Sequence, residues 1–63
     1  MTNAQLRELN IRMTNLEVSM HRVRKSNFAL DLDALADALG QLAGDVDEAR
    51  DTVYGILNPD AVP

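Results

Sequence analysis

The sequence predicts an all-α fold: a two-helix antiparallel hairpin, with helices over about residues 3–25 and 32–57, that assembles into a helical bundle or coiled-coil oligomer. Three observations predict it. Two stretches carry apolar residues at alternating spacings of three and four, the repeat of a helical seam. The phase of that repeat breaks between the two stretches. Finally, a chain of 63 residues without cysteine buries little surface alone, so its helices need apolar surface from other chains.

The first helix opens on a T-x-x-Q capping box. The Thr2 hydroxyl is placed to accept from the Gln5 backbone N–H, and the Gln5 side chain to reach back. Met1 and Leu6 occupy the two positions of a hydrophobic staple. The seam then runs Leu6, Leu9, Met13, Leu16, Met20 and Val23. Glu8 precedes Arg12 by four residues, the favourable order for a helical ion pair. Arg22, Arg24 and Lys25 fall in the expected last turn, where cations complement the helix dipole.

The second seam is Leu32, Leu35, Leu39, Leu42, Val46, Ala49, Val53 and Ile56. Asp31, Asp33 and Asp37 stand at its start, where carboxylates cap N–H groups and meet the positive end of the dipole. Asn58-Pro59 stops the helix, because the residue before proline avoids helical geometry. Gly55 offers an earlier stop, one turn sooner. Residues 58–63 form a short extended tail, and residues 1–63 a single hairpin domain.

One continuous helix is the rival arrangement, and the phase opposes it. Extending the first seam lands on Asn27, Leu30, Ala34 and Asp37, whereas the second seam is offset from it by five residues. That is neither of the three- or four-residue insertions that heptad patterns absorb. The offset falls at Ser26-Asn27, where basic C-terminal charges hand over to acidic N-terminal ones, so a short connection is expected within residues 25–31. Each arm would be roughly 35 Å long.

Charge is divided between the halves. Residues 1–29 hold five basic and two acidic residues, a net of +3; residues 30–63 hold one basic and eight acidic, a net of -7, which together give the net charge of -4. Halves of opposite sign neutralise each other when they pack side by side. Met1 is followed by polar and charged residues without an apolar leader stretch, and the uncharged run from Ala38 to Gly44 is too short to span a membrane. A cytoplasmic or virion-interior setting is expected.

Little in the chain suggests catalysis. His21 is the only imidazole, on a surface-type position, and a nucleophilic site needs several groups held together in a cleft. The acidic run Asp45, Asp47, Glu48 and Asp51 lacks the layout of a calcium loop and reads as a solvated helix face. No cofactor, metal or small-molecule ligand is expected. Gly40 and Gly44 form a G-x-x-x-G, either tolerated flexibility or a place where another helix comes close. The expected helices supply no aromatic beside the basic cluster Arg22, Arg24 and Lys25 for stacking, and the cluster lies near Asp31, Asp33 and Asp37, so dipole complementarity explains it better than nucleic-acid binding.

Ile11 and Val18 depart from the simple hairpin. Seven residues apart, they share a face opposite the Leu/Met seam, extended by Ala4. They read as a second contact surface for another subunit or protein.

The expected function is therefore a non-enzymatic structural or adaptor protein working through helix–helix assembly, as a homo-oligomer or with another protein, for example as a small component of a phage particle or bacterial complex. A nucleic-acid-binding regulator using the basic first helix is the second class. An antitoxin-like or inhibitor protein docking its acidic helix on a basic partner is the third. In shape and size, such a dimerised hairpin resembles the plasmid repressor-of-primer architecture, whose members bind RNA. The chain holds no motif to carry over, so no residue role is transferred.

Overall fold

Each helix starts on a side chain that caps its free N–H groups. A computed structural model describes residues 1–59 of the chain, with α1 over Asn3–Phe28 and α2 over Leu32–Leu57. The Thr2 hydroxyl accepts from the Gln5 N–H at 3.1 Å, and the Gln5 side chain accepts from the Thr2 N–H at 2.8 Å. The capping box is thus complete. Met1 remains 74% exposed, so any staple on Leu6 buries little. At α2 the Asp31 carboxylate accepts from the Ala34 N–H at 3.1 Å, and Asp33 adds a carboxylate in the first turn.

The first helix runs three residues beyond its expected end. Ser26 and Asn27 belong to its last turn, and the connection shrinks to residues 29–31. The Leu30 N–H donates to the Asn27 carbonyl and the Asp31 N–H to the Ser26 carbonyl, both at 3.1 Å. This pair of bonds is a Schellman motif, which satisfies carbonyls the helix leaves free. The position that turns the chain is Leu30, in the left-handed region at φ 56°. Glycine normally holds this place, so the break lacked its usual mark in the sequence. Only Lys25 of the basic cluster lies in the true last turn.

The second helix keeps its expected bounds and passes through Gly55, which does not end it. Asn58 caps it: its backbone N–H donates to the Tyr54 carbonyl at 2.9 Å, and its side-chain amide to the same oxygen at 3.2 Å. Most of the expected tail, residues 60–63, lies outside the described residues.

The helices pack antiparallel. Arg12 in α1 meets Glu48 and Thr52, while Ser19, further along α1, meets Asp45, which comes earlier in α2. The result measures 45 × 20 × 11 Å, one layer of two helices with no second layer against it among the described residues. Globular domains bury their apolar surface between at least two layers. Here Ala38 is the only buried apolar residue among the described ones.

Candidate protein-interaction face

The contact between the helices uses a different stripe from the apolar seam. In α1 the buried or half-buried residues are, apart from Asn15 beside the contact, Gln5, Leu9, Arg12, Leu16, Ser19, Val23 and Ser26, along one stripe. In α2 they are, apart from Ala34 and Gly55, Leu35, Ala38, Leu42, Asp45, Ala49, Thr52 and Ile56. Both sets follow the three-four repeat, and each shares only alternate members with the expected seam. The contact therefore has two edges, one polar and one apolar.

The polar edge is knit by hydrogen bonds. The Ser19 hydroxyl donates to the Asp45 carboxylate, and both residues are buried, at 3% and 8% exposure. The Gln41 amide donates to the other Asp45 oxygen at 3.3 Å. One layer away, the Arg12 guanidinium donates to Glu48 at 2.9 Å and to the Thr52 hydroxyl at 3.3 Å. The expected pair with Glu8 is present at 3.6 Å, and Thr52 donates onward to Glu8 at 3.4 Å. Among the described residues no buried side-chain nitrogen or oxygen lacks a partner. Of the acidic run expected to be solvated, Asp45 is thus an exception: it faces α1 and is held there by Ser19. Ser19 did not stand out in the sequence, and Asp45 stood out only as part of the acidic run. The signal lay in polar residues seven apart, Arg12, Ser19 and Ser26 on one helix and Asp45 and Thr52 on the other.

The apolar edge is formed by Leu9, Leu16 and Val23 against Leu35, Leu42, Ala49 and Ile56, all half-buried. The remaining seam residues do not enter the contact. Leu6, Met13 and Met20 lie roughly 80° around α1 from its centre, and each is 44–50% exposed. In α2, Leu39, Val46 and Val53 take the matching positions at 40–48%, and Leu32 stands at 74%. In both helices these residues adjoin the apolar edge, so they lie on the same side of the hairpin. The contact takes only one edge of each seam, because α2 approaches α1 about 50° round from the seam's centre. Half of the seam is left to form an open face without a charged residue.

Ile11 and Val18 lie on the opposite flank of α1, 53% and 49% exposed. Val18 borders a shallow cleft on the polar edge with Asn15, Arg22 and Gln41. The chemistry-bearing groups are otherwise dispersed. His21 is exposed, and the described residues hold no cluster of His, Cys, Asp or Glu fit for a metal ion. No described helix is long and apolar enough to cross a membrane. Gly40 and Gly44 have nothing within 4 Å of the place a Cβ would take, so the hairpin itself makes no close approach there.

Comparison of the chain with family models, with curated proteins and with solved structures finds no match. What the chain does has to be read from its own surfaces.

Proposed function

We propose that the protein is a non-enzymatic structural or adaptor element that works by packing its open apolar face against helices of other polypeptides. One observation carries this reading. Seven large apolar side chains, three from α1 and four from α2, lie 40–74% exposed along one side of a hairpin in which Ala38 is the only buried apolar residue among the described ones. Scattered exposed aliphatics are ordinary. A contiguous face of this length marks a surface that protein covers. The polar edge supports the same reading, since it fixes the two helices in register and leaves the apolar side free for assembly.

Arg12, one of the five basic residues of the first half, is already engaged by Glu8 and Glu48. That favours assembly over a nucleic-acid-binding role for α1. A place inside a larger particle or a cytoplasmic complex fits an element of this kind.

The test is a charge placed on the face. Leu39→Asp puts a carboxylate where assembly would bury it, and an unpaired buried charge is strongly disfavoured. Sedimentation should show the wild-type chain in an assembly and the variant in a smaller one, with loss of helical circular dichroism. A variant that keeps both the mass and the helix content of the wild type would refute the reading.

A further inference from the structure

We infer that the face is covered by a second copy of this chain, related by a two-fold axis parallel to the helices, so that α1 of each copy lies over α2 of the other. The inference rests on the assembly reading above and names its occupant.

Area supports a partner of this size. The chain exposes 5056 Å², whereas a compact monomer of 6.9 kDa exposes about 4,000 Å². The excess, about 1,000 Å², is close to the roughly 800 Å² per partner that a stable interface buries. The face is also chemically self-complementary. It carries only aliphatic and thioether side chains, so stacking two copies buries no charge. A two-fold dimer requires one patch to fit itself in this way.

Charge selects the orientation. Two kinds of two-fold axis lay such a face on its own copy. An axis across the helices puts α1 on α1 and α2 on α2, with the connections at opposite ends. That sets a net +3 half against another and a net -7 half against another. An axis along the helices puts α1 on α2, with both connections at the same end, and sets unlike halves together.

The rims of the face agree. Glu17 lies on the outer margin of α1 beside Met13 and Met20, and Arg50 on the outer margin of α2 beside Val46 and Val53. Within one chain these margins are on opposite sides of the hairpin. The Ser19–Asp45 and Arg12–Thr52 hydrogen bonds place Glu17 and Arg50 within about one turn of the same height. An axis parallel to the helices preserves height and superposes the two margins, so Glu17 of one copy meets Arg50 of the other, twice per dimer. With the axis across the helices and full overlap, Glu17 approaches its own copy instead.

The experiment uses the full chain with Ala29→Cys, a single thiol in a sequence without cysteine, spin-labelled and read by pulsed electron resonance beside a sedimentation mass. The expected result is twice the chain mass and a label separation under about 25 Å, since helices across a bundle diagonal lie roughly 14 Å apart. Glu17→Arg should weaken the dimer about threefold to tenfold, and adding Arg50→Glu should restore it. A dimer with labels separated by nearly the 45 Å length of the hairpin would overturn the orientation and leave the assembly reading standing. An unfolded monomer would overturn the second copy as occupant while leaving the face to another protein. A folded monomer at high concentration would overturn both.

Discussion

The Ser19 hydroxyl donates to the Asp45 carboxylate across the two helices, in the most buried place the hairpin has. A polar pair at the tightest point of an otherwise thin contact fixes register. Sliding one helix by a residue would leave the carboxylate without that donor, in surroundings that water reaches poorly.

Removing one partner should therefore cost more than removing both. We expect Ser19→Ala to destabilise the chain by about 1–3 kcal/mol, because an Asp45 oxygen loses its donor while still buried. Ser19→Ala combined with Asp45→Ala should cost less than the two single effects added together. Urea unfolding of the four proteins at one fixed protomer concentration gives the coupling energy. Additive effects would show that the hydrogen bond does not matter to the fold.

Leu30 holds the chain reversal at φ 56°, a conformation that costs a residue with a Cβ roughly 1–2 kcal/mol. Its side chain is 82% exposed, so little packing is lost on removing it. Leu30→Gly should raise stability by about 1 kcal/mol, less whatever entropy glycine adds to the unfolded chain. Thermal unfolding reads the change. A destabilised variant would mean that the Leu30 side chain is buried by something outside the single hairpin.

Gly40 and Gly44 should both accept alanine. A Cβ at either position meets open space, and each glycine costs a helix interior roughly 1 kcal/mol relative to alanine. Gly40→Ala and Gly44→Ala are expected to add stability of that order without changing the assembly mass. If either variant loses mass or stability instead, another helix approaches the backbone there, which is the sharper reading of the G-x-x-x-G.

Ile11 and Val18 distinguish the two sides of α1. They sit on the flank away from the open face, so Ile11→Asp with Val18→Asp should keep helix content and the two-copy mass. Any association beyond two copies that uses this flank should be lost. Circular dichroism and light scattering on the double variant check this beside Leu39→Asp. A fall to monomer on the Ile11 side would transfer the principal contact to that flank.

The helices themselves were legible in the sequence because their causes are local. Thr2 and Gln5 close a capping box within one turn, Asp31 caps the second helix, and Asn58-Pro59 ends it where the chain can no longer be helical. The phase break told two helices from one. The connection falls within the expected residues 25–31, but α1 runs three residues past its expected end because Leu30, rather than a glycine, makes the turn. That conformation is imposed by the two Schellman hydrogen bonds, at a position where residue type alone would not suggest it.

By itself, the sequence determined two helices, their caps, the split of charge between the halves and an apolar stripe on each helix. Only the tertiary structure decided which side of each stripe meets the other helix. Periodicity specifies a direction around one helix axis, and the angle from which a second helix approaches is set by both surfaces together. Small and polar residues at Ser19, Ala38, Asp45 and Thr52 let α2 settle to one side of the stripe, where hydrogen bonds hold it. Leu6, Met13, Met20, Leu39, Val46 and Val53 are thereby turned outward onto one common face, because two helices in a single layer can cover only part of each other's circumference.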